Sequence, residues 1–249
     1  MVNVLVSGVL GRMGQKVVEA TLNSQNVKVV CGVDIFKKEL SFPVYTSFDQ
    51  VKEKVDVVID FSNKKNLDNV LAFLDKTGAS AVLCTTGFDA DDLAKIDKIS
   101  QKTAIFRSAN MSLGVNILIE LVKKASLSLK GFDIEIIEKH HNQKVDAPSG
   151  TALMLADAVK DVLPEKFYTY GREGMCGKRN PDEIGIHAIR GGNIVGEHDV
   201  IFAGANETVT LSHQASDRSV FAEGAVLAAE YISTKKSGIY NMSDLINKR

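Results

Sequence analysis

The sequence predicts an α/β protein: a doubly wound parallel sheet, then a second region of α+β character with a mostly antiparallel or mixed sheet. Three observations carry this reading. Short Val- and Ile-rich runs alternate with helix-patterned segments from the first residue to about residue 112. Unbroken apolar runs of this length are the pattern of strands buried on both faces. Helical segments between successive strands require parallel pairing, and right-handed crossovers then place helices on both faces of the sheet.

The elements follow in order. "VNVLVSG" (2–8) is a strand ending in glycine, and "GRMGQKVVEATLN" (11–23) has helical spacing. "VKVVCGVD" (27–34) and "VDVVIDFS" (55–62) are further buried strands. "KNLDNVLAFLDKTG" (65–78) is a helix closed by glycine, the residue that favours the position just past a helix end. "SAVLCTTG" (80–87), "DADDLAKIDKIS" (89–100) and "TAIFRSAN" (103–110) continue as strand, helix and strand. Beyond about residue 112 the rhythm changes. "LGVNILIELVKKASLSL" (113–129) is a long helix, and strand-like segments follow at 132–139, 184–190, 193–203 and 207–214. The last three are joined by "RGG" and "GANE", which read as hairpin turns. "SVFAEGAVLAAEYISTKK" (219–236) is helical and is expected to return to the first domain.

Composition narrows the function classes. The 249 residues suffice for one large or two modest domains, and Lys+Arg (30) balance Asp+Glu (31). That balance points to neither nucleic acid nor a membrane surface as partner. Three separated cysteines, Cys31, Cys84 and Cys176, fit neither a disulfide framework nor zinc spacing. No apolar run approaches membrane-span length, and "MVNVLVSG" enters a strand without a charged leader, so a cytoplasmic location is expected.

Two stretches carry chemistry. The first strand runs into "GVLGRMG", with Gly8, Gly11 and Gly14. The spacing departs from G-x-G-x-x-G, because Leu10 stands at the second glycine position. It is still a glycine turn between strand and helix, where backbone N–H groups can meet a pyrophosphate; alternatively it is a tight turn that binds nothing. Asp34 closes the second strand 20 residues beyond Gly14, the place of an acidic side chain that takes ribose hydroxyls, or of a solvated strand-end aspartate. Lys37 and Lys38 follow, able to meet a 2′-phosphate or to be plain surface charge.

The second stretch, "EIIEKHHNQKVDAPSGTALMLADAV" (135–159), places His140 beside His141, with Lys144, Asp146 and a Pro-Ser-Gly-Thr turn opening a helix over 151–162. Imidazole titrates near neutrality, so one histidine can exchange a proton while the other holds an anion. Lys144 adds positive charge, and the free N–H groups of the helix start bind anions. Ser149 or Asp146 can cap that helix; alternatively, capping is the whole role of Ser149 and Thr151. Adjacent histidines lack a zinc-binding i,i+4 spacing, and no metal is expected. His187, His198 and His213 read as structural histidines of the sheet.

With "GVLGRMG", "VVIDFS", "TTGF", "SANMSLGVN", "EIIEKHHNQKVDAPSGTA", "REGMCGKR", "IGIHAIRGGNIVGEH" and "HQASDRSVFAEGA" in this order, the whole chain closely resembles the dihydrodipicolinate reductase family. The resemblance implies a discontinuous Rossmann-type dinucleotide-binding domain, 1–111 with 219–249, and a substrate-binding and oligomerisation domain, 112–218, that forms a homotetramer. It implies reduction of 4-hydroxy-tetrahydrodipicolinate, a small dicarboxylate of diaminopimelate and lysine biosynthesis, with NADPH or NADH. Gly8, Val9, Leu10, Gly11, Arg12 and Met13 would wrap the pyrophosphate, and Asp34 would hold the ribose. Cys84, Thr85 and Thr86, with Ser108, Ala109, Asn110 and Met111, would frame the nicotinamide. His140 would move the proton with Lys144 as second donor, and His141, Gly150 and Thr151 would bind the dicarboxylate. The sequence departs from its relatives where Cys84 replaces a glycine, where Asp34 replaces a longer glutamate, and where Ile35 stands in place of arginine. A catalytically silent NAD(P)H sensor on the same fold is the rival reading.

Overall fold

In a computed structural model, residues 1–247 are described and divide into two compact units. One comprises Met1–Leu113 and the segment from Arg218 on; the other is Gly114–Asp217. In chain order the first unit contains β1 (Val2–Ser7), α1 (Arg12–Leu22), β2 (Val27–Val33), β3 (Val44–Tyr45), β4 (Val57–Asp60), α2 (Leu67–Thr77), β5 (Ser80–Leu83), α3 (Ala90–Ser100) and β6 (Ala104–Arg107). A helix α4 (Leu113–Ser128) leads into the second unit, with β7 (Asp133–His140), α5 (Gly150–Lys160), β8 (Phe167–Tyr170), β9 (Glu183–Arg190), β10 (Gly196–Ala203) and β11 (Thr208–Ala215). The chain then adds α6 (Ser219–Ile232), β12 (Gly238–Tyr240) and α7 (Met242–Ile246) to the first unit.

The first unit holds a seven-stranded sheet in the order β12-β6-β5-β4-β1-β2-β3, parallel throughout. The expected doubly wound sheet is thus present. Its strands bury both faces: Val4, Val6, Val57, Ile59 and Val82 pack into a cluster with α6 residues Ala222, Ala225 and Ala229, while Leu5, Val58, Ala81 and Ile105 join α2 residues Val70 and Leu74 on the other side. Alternate residues of one strand serve opposite layers, as the two-residue period requires. Helix ends obey local chemistry. Gly78 ends α2 in the left-handed conformation, and Asp89 starts α3 with a reciprocal capping box to Asp92.

The second unit holds a mixed five-stranded sheet, order β11-β10-β7-β9-β8. Ile134, Ile136, Ile184, Val200 and Phe202 face Leu155, Ala156 and Val159 of α5. One expectation is overturned. "RGG" does not close a hairpin between β9 and β10, because β7 lies between them, parallel to β9 and antiparallel to β10. The turn bonds to the end of β7 instead: Gly191 N–H donates to the His140 carbonyl (2.9 Å) and Asn142 N–H to the Gly192 carbonyl (3.2 Å). "GANE" does join an antiparallel pair, β10 and β11. The helix expected over 219–236 stops at Ile232, and the short strands β3, β8 and β12 were not anticipated. Among the described residues no helix is long and apolar enough to cross a membrane.

Gly14 fixes how closely α1 approaches β1. A Cβ at this position would lie 2.1 Å from the Gly8 carbonyl oxygen and 2.7 Å from the Val9 Cα. Backbone cannot yield as a flexible side chain does, so Gly14→Ala should cost at least the upper part of the ~1–3 kcal/mol typical of overpacking. Thermal unfolding should show a clear fall in midpoint; an unchanged midpoint would mean that the helix moves freely off the strand.

Candidate active site

The carboxyl ends of β1, β2, β4, β5 and β6 lie along one edge of the parallel sheet, where ligands of doubly wound folds collect. Gly8 turns the chain there with φ +76°, a conformation natural to glycine. Its cradle is tight, since a Cβ would sit 2.9 Å from the Phe61 carbonyl oxygen. Gly11 is the N-cap of α1 and supplies no side-chain bond. The first amides of the helix are therefore offered outward, which is the chemistry a pyrophosphate needs. Arg12 is exposed beside them, whereas Val9 is buried and Met13 packs against the core, so these two contribute backbone.

Asp34 has a task the sequence did not reveal. Its carboxylate accepts the Leu10 N–H and the Ile35 N–H, each at 2.8 Å, and so fastens the glycine turn to the end of β2. It also lines a cleft of about 660 Å³ with Gly8, Gly11, Ile35, Phe36, Thr46, Ser62 and Lys65. Lys37 and Lys38 line a different cavity, of about 440 Å³; the lysine in the Asp34 cleft is Lys65.

Behind the next loops lies Asp60, buried at the end of β4. It accepts the hydroxyls of Ser62 (2.6 Å) and Thr85 (2.7 Å), and Asn66 links Ser62 to Ser7. This polar chain spans three strand ends and sets the "CTTG" loop. Burial, with the Asp60 charge adding, pushes the Cys84 thiol well above its ordinary range and keeps it neutral. Thr86 and Ala109 are exposed, and Met111 is buried. Beyond β6, the Ser108 hydroxyl donates to the Asn110 carbonyl (3.0 Å), and the Ser112 N–H donates to the Asn110 side chain (2.8 Å).

In the second unit His140 is the last residue of β7. Its Nδ1 lies 2.6 Å from Glu138 Oε2, two residues back on the same face of the strand. Glu138 is fully buried and is gripped by Arg190, whose two terminal nitrogens each donate at 2.7 Å. Burial pushes the Glu138 carboxyl up, but the bonds from Arg190 and His140 outweigh it and leave the group below its ordinary value. The other Glu138 oxygen accepts the Ser149 N–H at 3.0 Å, tying the start of α5 to the same carboxylate. Ser149 is the N-cap of α5: its hydroxyl accepts the Ala152 N–H (3.1 Å) and lies 2.9 Å from His198 Nε2. Gly150 and Thr151 therefore open the helix beside His140. The His140 and His198 rings meet edge to face, 5.2 Å between centroids. Lys144 pairs with Asp146 at 2.8 Å, and the Lys144 N–H bonds the His141 carbonyl, folding the loop back on itself.

Sequence reasoning missed Asp60, Glu138 and Arg190; it read His198 as a structural histidine of the sheet, and the residue is indeed buried and bonded to Ser149, though its place beside His140 was not foreseen. Glu138 had a signal, because it stands in phase with the buried Ile134 and Ile136, where a charge needs a partner. Arg190 and His198 are visible only through register, which sets Arg190 opposite His140 and His198 opposite Glu138.

A glycine turn with an uncapped helix start on a parallel sheet, joined in one chain to a histidine with a buried carboxylate behind it, fits a nicotinamide-dependent oxidoreductase. Comparison with known proteins narrows this class. The family profile for the dihydrodipicolinate reductase N-terminus matches residues 2–111, and that for its C-terminus matches residues 114–246. The chain belongs to the dihydrodipicolinate reductase family. It is 51% identical to the 4-hydroxy-tetrahydrodipicolinate reductase of Caldanaerobacter subterraneus subsp. tengcongensis, across 100% of this chain and 99% of that one. It is 46% identical to the enzyme of that name from Clostridium novyi, across all of both chains. In fold it is similar to the dipicolinate-bound dihydrodipicolinate reductase from Paenisporosarcina sp. TG-14, with a TM-score of 0.82, 24% identity and 97% of each chain covered. A myo-inositol dehydrogenase from Corynebacterium glutamicum shares the fold more distantly, with a TM-score of 0.60, 12% identity, and 99% of this chain and 93% of that one covered.

The buried His198 carries a pH signature. Burial, with the nearby His140 adding, lowers its pKa to about 4 from an ordinary 6.5. The unfolded chain therefore binds a proton that the folded chain refuses as pH falls from about 6.5 towards 4, so stability is lost across that window. The shift corresponds to ~3 kcal/mol at most. Urea unfolding of wild type and His198→Gln across this range should show a shallower acid slope in the variant; parallel slopes would remove His198 as the cause.

Proposed function

We propose that the protein reduces 4-hydroxy-tetrahydrodipicolinate to tetrahydrodipicolinate in diaminopimelate and lysine biosynthesis, with NADPH or NADH as reductant. The overall change consumes the substrate, one reduced nicotinamide and one proton, and yields the reduced ring, oxidised nicotinamide and water. The observation that carries this reading is His140, backed by an ionised Glu138 beside the start of α5, in a chain matched end to end by relatives named for this activity.

The first unit would be the dinucleotide-binding domain and the second the substrate-binding and oligomerisation domain. Gly8 to Met13 would take the pyrophosphate on backbone amides, and Asp34 the ribose. Cys84, Thr85, Thr86 and Ser108 to Met111 would frame the nicotinamide, which supplies the hydride when bound. His140 would deliver the proton to the ring carbon beside the one reduced, with Lys144 as second donor. His141, Gly150 and Thr151 would hold the carboxylates, since helix amides and cations favour anions. Lys65 in the Asp34 cleft supports acceptance of a 2′-phosphate, so both cofactors should bind. A homotetramer in the cytoplasm is the assembly and location we infer from the family resemblance. A silent sensor would have no use for a buried charged scaffold behind His140.

Reduced-nicotinamide oxidation with enzymatically generated substrate tests the reading directly, and absence of turnover with either cofactor would defeat it. His140→Gln should lower kcat by ~10²–10⁴-fold with a smaller change in KM, as loss of a positioned acid does. His141→Gln should raise KM and Lys144→Ala should lose activity, both leaving cofactor binding nearly intact. Near-wild-type kcat in His140→Gln would move the proton to Lys144 or water. Asp34→Ala should weaken NADH more than NADPH, because a carboxylate that accepts ribose hydroxyls repels a 2′-phosphate; equal weakening by calorimetry would leave Asp34 only its part in bracing the turn.

A further inference from the structure

We infer that Glu138, held by Arg190, is the positioning residue of the reaction: it fixes the Nδ1–H tautomer of His140, so that the proton is given at Nε2. The inference rests on His140 being the proton donor. An ionised carboxylate only accepts hydrogen bonds. Glu138 is buried, and its two oxygens receive four donors: His140 Nδ1 at 2.6 Å, Ser149 N at 3.0 Å, and Arg190 Nη1 and Nη2 at 2.7 Å each. Nδ1 therefore carries hydrogen in both charge states of His140. The exchangeable proton belongs to Nε2.

The surroundings agree. A Cβ at Gly196 would stand 3.1 Å from His140 Nε2, so glycine keeps a side chain off that nitrogen. Arg190 Nη2 also donates to the Asp146 carbonyl at 2.7 Å. One guanidinium thus holds the carboxylate behind His140 and the loop that carries Lys144. The bidentate fork also divides the carboxylate's charge between cation and imidazole, so Glu138 orients the ring without taking its proton. The charged and titratable groups around His140 are Glu138 on its own strand, Arg190 on β9, His198 on β10, and the paired Lys144 and Asp146 in the following loop.

The first test needs no variant. Nitrogen-15 NMR of the wild-type protein at neutral pH or above should show His140 as the Nδ1–H tautomer, whatever the activity; an Nε2–H tautomer overturns the inference. The second is Glu138→Gln, with circular dichroism as folding control. Its kcat should fall by ~10²-fold or more, and NADH affinity should hold. The pH at which kcat declines should move downward, because the imidazolium loses its anionic neighbour. In a His140→Gln background the same change should add little, because the two residues act as a unit. Wild-type kcat and pH profile in Glu138→Gln, or full additivity with His140→Gln, would reduce Glu138 to a structural role. Absence of turnover by the wild-type protein would instead remove the proposed reaction and leave the tautomer measurement standing.

Discussion

A carboxylate with no access to water sets the terms of the second unit. Glu138 is 0% exposed, and an ion in that position is tolerated only if its oxygens are satisfied and its charge is answered. Both conditions hold, and each partner is itself a piece of the site: the ring of His140, the first amide at the entrance to α5, and the guanidinium of Arg190. Removing one member of such a buried pair typically costs about 3–5 kcal/mol, because the other is stranded. The same constraint that makes the group expensive makes it directional. The strand can end, the helix can begin and the ring can turn in only one mutual arrangement that feeds all four donors to one carboxylate.

The first unit solves its problem with different material. Its proposed recognition surface is backbone: an uncapped helix start, a glycine turn, and loops braced by Asp60 and by Asn110. Side chains there mostly hold backbone in place. Asp34 shows the principle at its most economical, since the carboxylate expected to face ribose also accepts the Leu10 amide of the turn that would cradle the phosphates. Both tasks use lone pairs of one group, and a carboxylate has enough for both.

What the sequence showed follows from this contrast. The parallel sheet was legible because strands buried on both faces leave unbroken apolar runs, and the glycine turn because shape demands glycine. Gly78 marked a helix end through chemistry confined to one turn. The short strands β3, β8 and β12 lay at sheet margins, where two to four residues carry no periodicity. "RGG" was misread because turn residues announce a change of direction without naming the partner strand; the partner proved to be the end of β7. The histidine pair could be read, but its support could not. Arg190 stands 52 residues from Glu138, and only strand register brings them together.

The ion pairs around the second site differ in kind, and the difference bears on binding. Glu138 cannot leave Arg190 without stranding a buried charge. Asp146, by contrast, is 57% exposed on its side chain and pairs with Lys144, which holds its carboxyl below the ordinary range. Lys144 is partly buried, but with Asp146 open to water such a pair is still worth only about 1 kcal/mol. A carboxylate arriving from solution can therefore take Lys144 from Asp146 at small cost, because the displaced group passes into water. One pair is permanent and shapes the end of β7; the other holds a cation in the following loop that a competing anion could take. The proposed dianionic substrate would use both, a rigid frame that specifies where the proton goes and a charge that is free to be exchanged.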